Sequence, residues 1–183
     1  MTEPRTGWPD DWSARKAGRD CPLCAGLGSD APDDHALFVA ELESSEVRLE
    51  RRSRLPGYCI VIWRHGHVAE PTALDPDAAT RYWADVLRVS RAVEQEFAPL
   101  KMNLLTLGNW VPHLHTHVLP RYRDDPAPGG PITWADIFDD EPTPLATLRG
   151  YAVRIRAFLR DEPGQAGGHP ASQLGRPPVG HEA

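Results

Sequence analysis

The segment Pro112-His113-Leu114-His115-Thr116-His117-Val118-Leu119-Pro120 carries three histidines at alternating positions. In an extended strand, side chains at i, i+2 and i+4 share one face. The imidazoles of His113, His115 and His117 are therefore predicted to line one surface, with Leu114, Thr116 and Val118 turned the other way. A helix would spread these positions around its axis. Imidazole titrates near neutrality, is a good nucleophile and binds metals, so three on one face imply a reactive histidine or a metal site. Chance clustering is the remaining alternative, and strict alternation of three among 8 histidines in 183 residues weighs against it. A catalytic metal on a His-x-His strand usually recruits a further carboxylate or histidine close by. Here Val118-Leu119-Pro120 follows directly, and the nearest acids are Asp124 and Asp125. For covalent catalysis, a neutral imidazole with a reference pKa of about 6.5 can attack phosphorus without a partner base. Neighbouring rings disfavour a second positive charge, and a strand holds the attacking ring more firmly than a loop.

A second group that can do chemistry is Cys21-x-x-Cys24, which has the knuckle spacing of zinc sites. A redox pair is the alternative, although no βαβ pattern surrounds it, and chance spacing is a third. Zinc would need about two more ligands. Cys59 lies in an apolar run and reads as a small core residue. Asp124-Asp125-Pro126 reads as a solvated turn in preference to a metal-binding pair. Trp110, just before the histidines, is suited equally to stacking on a base and to plain packing.

The chain that must position these groups is ordinary in composition. Its 183 residues fit one domain with a substantial core, and 40% hydrophobic and 25% charged content is typical of a globular protein. A net charge of -6 provides no basic footprint, which argues against nucleic acid as a partner. No apolar run approaches the roughly 20 residues of a membrane span. Met1 to Asp11 is polar and proline-bearing, unlike a signal peptide. Three cysteines do not make a disulfide framework. Cytoplasmic residence is the expectation.

Three domains of organisation are predicted along the chain: an irregular lead-in over 1–20, a folded unit over 21–161, and a disordered Pro/Gly-rich tail over 162–183. Ala36 to Leu42, Val47 to Glu50 and Tyr58 to Trp63 read as strands, the second half-buried by its alternation and the third central. Short connections, including Leu55-Pro56-Gly57, make them an antiparallel meander. Asp75-Pro76 is a helix start. Ala79, Tyr82, Trp83, Val86, Ser90, Val93 and Phe97 form one face of that helix, and Pro99 ends it. Lys101 to Leu107 and Leu114 to Leu119 are two further strands, split by Gly108-Asn109-Trp110-Val111-Pro112. Thr143-Pro144 opens a second helix with Leu145, Leu148, Ala152, Ile155 and Leu159 on one face. Five strands and two helices in this order make an α+β fold.

The run Asn103-Leu104-Leu105-Thr106-Leu107-Gly108-Asn109, followed by Pro112 to Arg121, closely resembles the histidine-triad (HIT) family, whose signature is His-φ-His-φ-His-φ-φ with φ apolar. Thr116 departs mildly from that pattern. Gly57 to Val68 resembles the family strand that leads to a further histidine, and the likeness spans roughly residues 20 to 160.

The resemblance implies a five-stranded antiparallel sheet with two helices, joined to a second copy in a homodimer. It implies a nucleotidyl hydrolase acting at the α-phosphate of an adenylylated or dinucleoside polyphosphate-type small molecule. His115 would be the nucleophile of a covalent nucleotidyl-histidine intermediate. His117 would donate to the phosphate, and the His113 carbonyl would accept from His115 Nδ1. Asn109 falls where relatives carry an amide near the phosphate, and Asn103 is grouped with it as substrate-binding. A phosphorylase or nucleotidylyltransferase of the same family and a non-catalytic, zinc-stapled nucleotide-binding module are the alternatives, with a metal-dependent hydrolase as a third. Some relatives bind structural zinc through a Cys-x-x-Cys, the extra histidine and the first triad histidine. Carried over, the ligands are Cys21, Cys24, His67 and His113. His67 is preferred to His65 because it precedes Val68, as in the family's Arg-His-Val pattern, with Gly66 as an insertion.

Overall fold

The computed structural model describes residues 7–31, 34–139 and 141–161. Five strands, β1 (Ala36–Glu41), β2 (Ser45–Glu50), β3 (Cys59–Trp63), β4 (Lys101–Leu105) and β5 (His115–Arg121), form one sheet. Its order is β1-β2-β3-β5-β4, and every pairing is antiparallel. The expected meander is β1-β2-β3. β5 then joins β3, and β4 becomes the edge strand.

Two long helices, α3 (Pro76–Phe97) and α5 (Leu145–Asp161), agree with the periodicity. Asp75 caps α3 by accepting from Ala78 N at 2.8 Å, and Ala98 closes it in the left-handed region at φ 47° ahead of Pro99. The buried face of α3 comprises Ala78, Tyr82, Asp85, Val86, Val89, Ser90, Ala92 and Val93, so it is rotated from the predicted one and leaves Trp83 at the margin. Asp85 tolerates burial because its Oδ2 accepts from Ser44 N, Ser44 Oγ and Ser45 Oγ. Leu148, Ala152, Ile155 and Leu159 of α5 are buried, and Leu145 is half-buried. Both helices cover the sheet face that carries Leu37, Val47, Leu49, Val61 and Val118. Each such aliphatic side chain contributes about 1.5–3 kcal/mol when fully buried.

Several expectations are corrected. Residues 7–20 are not wholly irregular, since α1 spans Trp12–Lys16. The Cys-x-x-Cys segment opens α2 (Pro22–Gly26), with Cys21 as its N-cap and Pro22 at the first helical position. A further short helix, α4, spans Trp134–Ile137. β2 is buried along its whole length, not half-exposed. Asp125 is not a solvated turn residue: it is buried and holds Arg121 through both oxygens, at 2.6 and 3.0 Å. The predicted tail, 162–183, lies outside the described residues. Among those residues no helix is long and apolar enough to cross a membrane.

The full burial of β2 explains how the N-terminal segment reaches the sheet. Arg48 and Glu46 share the face away from the long helices, and Arg48 Nε meets Glu46 Oε1 at 2.6 Å. Arg48 Nη2 also donates to the carbonyls of Gly26 and Ser29, and Glu46 Oε2 accepts from Gly28 N at 2.7 Å. The ion pair thus fastens residues 26–29 to the sheet, which brings the preceding cysteines against the start of β5.

Candidate active site and metal cluster

β5 pairs His115 with Ile62 and His117 with Ile60 of β3, and His117 with Leu105 of β4. Directly opposed residues point to the same side of a sheet. His115 and His117 therefore lie on the face opposite the long helices. Leu114, Thr116 and Val118 point the other way and are buried, as the alternation requires. Thr116 satisfies its hydroxyl with Tyr82 at 2.8 Å and Thr106 at 2.7 Å, so a polar group at this apolar position carries no desolvation penalty.

His113, the first of the three, behaves differently. The strand begins only at His115, and the His113 ring is sealed from solvent. Its contribution to the surface shared by His115 and His117 is its backbone: His113 O accepts from His115 Nδ1 at 2.6 Å. A carbonyl can only accept, so the proton of neutral His115 sits on Nδ1 and the Nε2 lone pair is available. The expected common surface of three rings is thus a surface of two, backed by one.

His115 and His117 meet edge to face with centroids 4.8 Å apart. Burial lowers the pKa of His115 below its ordinary value. Burial, and then the neighbouring His115, push His117 down to about 3. Both shifts favour the neutral form of the rings. The linkage has a definite sign. The folded pKa of His117 lies below its unfolded value of about 6.5, so the unfolded state takes the proton first. The stability due to neutral His117 is complete above about pH 6.5 and lost progressively as pH falls toward 3. His117→Gln is expected to flatten the decline of Tm between pH 7 and 5; parallel wild-type and variant profiles would contradict this.

On the other flank, Cys21, Cys24, His67 and His113 place one ligand atom each within 4.8 Å of one another. His113 Nδ1 lies 3.5 Å from Cys21 Sγ and 3.3 Å from Cys24 Sγ, and His67 Nδ1 lies 3.5 Å from Cys24 Sγ. A tetrahedral zinc with Zn–S of about 2.3 Å and Zn–N of about 2.0–2.1 Å has S···N edges of about 3.5 Å. The outer partners agree. His113 Nε2 donates to Trp63 O at 2.8 Å and His67 Nε2 to Lys16 O at 3.2 Å, leaving both Nδ1 lone pairs turned to the thiols. Gly18, at φ 87°, makes room: a Cβ there would sit 2.9 Å from His67 Cγ. The donor set therefore fits a closed, four-ligand zinc site. His65 is elsewhere, with its Nε2 at 2.9 Å from Glu43 O.

The family model of the HIT domain matches residues 32–124, just over half of the chain. This chain belongs to the HIT family. The curated relative "Protein hit" of Bacillus subtilis (strain 168) is 29% identical over 114 residues, covering 56% of this chain and 72% of that one. A histidine triad (HIT) protein from Sinorhizobium meliloti 1021 is 26% identical with a TM-score of 0.63, covering 73% of this chain and 100% of that one. A Zn-bound histidine triad family protein from Mycobacterium smegmatis shares the fold, at 23% identity and TM-score 0.57, covering 78% of this chain and 94% of that one.

Two expected substrate contacts of this HIT chain sit differently from the triad. Asn109 is exposed and, among the described residues, makes no hydrogen bond to the triad. Asn103 Oδ1 accepts from Arg121 Nη1 at 3.0 Å, which ties it to the Arg121–Asp125 pair. Trp110 packs beneath the Arg15 guanidinium, 5.4 Å from its ring centre. Sequence reasoning missed Tyr58, whose hydroxyl lies 2.6 Å from His117 Nδ1. It was visible only as the first residue of a β-prone run, and the β3–β5 register is what brings it there.

Proposed function

We propose that this HIT protein is a nucleotidyl hydrolase that works through a covalent intermediate on His115. The observation that carries the reading is the His115 Nδ1–His113 O bond, which fixes an unprotonated Nε2 on a rigid strand. Nε2 attacks the α-phosphorus of an adenylylated or dinucleoside polyphosphate-type substrate. A P–N bond forms, the bond from phosphorus to the leaving group breaks, and the leaving group departs with that electron pair. Water then attacks phosphorus, the P–N bond breaks, and a nucleoside monophosphate leaves as His115 is restored. His117 donates to a phosphate oxygen while charge builds there. Positioning and charge stabilisation provide most of the rate in phosphoryl-type transfer.

The test is a panel of adenosine phosphoramidate and dinucleoside polyphosphates, with product analysis in water and with added phosphate or a second nucleotide. Nucleoside monophosphate as the product supports hydrolysis. A nucleoside diphosphate formed only with phosphate would make the protein a phosphorylase, and binding without turnover on every substrate would make it a binding module.

Cys21, Cys24, His67 and His113 are proposed to hold a structural zinc. Four protein donors leave no open position for a substrate, which is the character of a structural site. When bound, zinc would lock the N-terminal segment against the residue whose carbonyl orients His115. About one zinc per chain is expected by elemental analysis, falling sharply in Cys24→Ser; unchanged zinc in that variant would contradict the assignment. A homodimer is supported by the position of β4, which among the described residues pairs only with β5 and leaves its outer edge available to a second copy. Sedimentation equilibrium at micromolar concentration should return twice the chain mass, and a monomer throughout would refute it.

A further inference from the structure

Tyr58 is given no role by any motif named above, yet its hydroxyl lies within hydrogen-bond distance of His117, the last of the three histidines. It is 1% exposed and sits in a small apolar cluster with Leu55, Leu119 and Ile137. Its oxygen is 2.6 Å from His117 Nδ1, the rings lying 5.9 Å apart at 53°. Among the described residues this nitrogen is the one hydrogen-bond partner of the Tyr58 hydroxyl.

Satisfying the buried donor decides the direction of that bond. A phenol carries one proton, and burying an O–H without an acceptor costs about 1–3 kcal/mol. If His117 Nδ1 carried a proton and donated to the oxygen, the Tyr58 proton would have no acceptor. If the phenol donates to Nδ1, both groups are satisfied and the proton of neutral His117 must be on Nε2. Burial pushes Tyr58 well above the ordinary phenol range, so it keeps its proton.

We infer that Tyr58 is a positioning residue that fixes His117 as an Nε2–H donor, opposite in tautomer to the His115 ring beside it. The two imidazoles are chemically alike and 4.8 Å apart, and nothing in their own structure would divide the labour. Their partners do. A carbonyl acceptor on His115 Nδ1 leaves a lone pair on Nε2, and a hydroxyl donor on His117 Nδ1 leaves a proton on Nε2. One ring presents a nucleophile and its neighbour presents a hydrogen bond for the oxygen that gains charge. The consequence for turnover rests on the nucleotidyl-transfer reading above; the tautomer does not.

The experiment is long-range proton–nitrogen NMR of the imidazoles in the full chain, without substrate, on wild type and Tyr58→Phe, with His117→Gln to assign the signals. In wild type, His117 is expected to show a pyridine-like Nδ1 and a pyrrole-like Nε2, and His115 the reverse. In Tyr58→Phe the His117 nitrogens should move toward exchange-averaged values while the His115 signals stay in place. On whichever substrate the panel identifies, kcat of Tyr58→Phe should fall about tenfold with KM little changed, less than the roughly 10²–10⁴-fold a general acid or base contributes outright. A protonated Nδ1 on wild-type His117, or His117 signals and kcat both unmoved in Tyr58→Phe, would overturn the inference. The NMR result stands whether or not nucleotidyl transfer proves to be the reaction.

Discussion

His115→Ala is expected to lower turnover of the best substrate by about 10⁴-fold or more, the scale on which removal of a covalent nucleophile acts. The loss should fall on kcat. Nucleotide affinity should change only a few-fold, because His117 and the rest of the surface stay in place. The fold should also persist. His115 belongs to neither apolar cluster, and among the described residues its ring makes one hydrogen bond, to the backbone carbonyl of His113. His117→Ala removes a donor instead of the nucleophile, and should cost about 10²–10³-fold. The two losses will not add, since both groups act on one phosphorus centre. Steady-state kinetics with a nucleotide-binding titration separates these effects, and a His115→Ala protein with near-normal kcat would refute the mechanism.

Arg48→Ala should produce the largest loss of stability, about 3–5 kcal/mol, the cost of stripping one partner from a buried ion pair. The Arg48 and Glu46 side chains are 9% and 2% exposed, so solvent does little to relieve the carboxylate left behind. Glu46 would keep the Gly28 amide as an anchor, while the Gly26 and Ser29 carbonyls would lose their shared donor. Native proteins hold only about 5–15 kcal/mol in total, so Tm should fall by about 10 °C or more at this chain length. The damage should also reach the cysteines, because residues 26–29 follow directly on Cys24. Zinc retention against a chelator should weaken along with Tm. A change in Tm of a degree or two would show that the pair is not what fastens the segment.

These results locate what a linear reading of the chain can and cannot see. The alternation of His115, Thr116, His117 and Val118 was legible because a strand converts period two directly into two faces. The caps of α3 were legible because Asp75-Pro76 and Pro99 act on their own backbone. Burial of Glu46 and Arg48 was not, since their alternation looks like a solvent face and the segment covering them comes from about twenty residues upstream. The burial of Asp125 is hidden for a similar reason: its bidentate partner, Arg121, ends a strand whose last residues the hydrophobic pattern does not mark. The Cys21–Cys24 spacing marked two candidate ligands, and only the resemblance supplied His67 and His113, which the structure brings to the same point. The role of Tyr58 is hidden because its contact with His117 depends on the register between β3 and β5, and no local pattern encodes that register.

The central claim is that phosphorus becomes bonded to His115, and the most direct measurement is to catch it there. The full chain is mixed with substrate, quenched in alkali to preserve the acid-labile P–N bond, and examined by intact mass and peptide mapping. The account predicts a gain of one nucleotidyl group, located on His115 and absent from His115→Ala. A nucleotidyl group on His117 or another residue, or rapid turnover with no adduct at any time point while His115→Ala remains active, would contradict it.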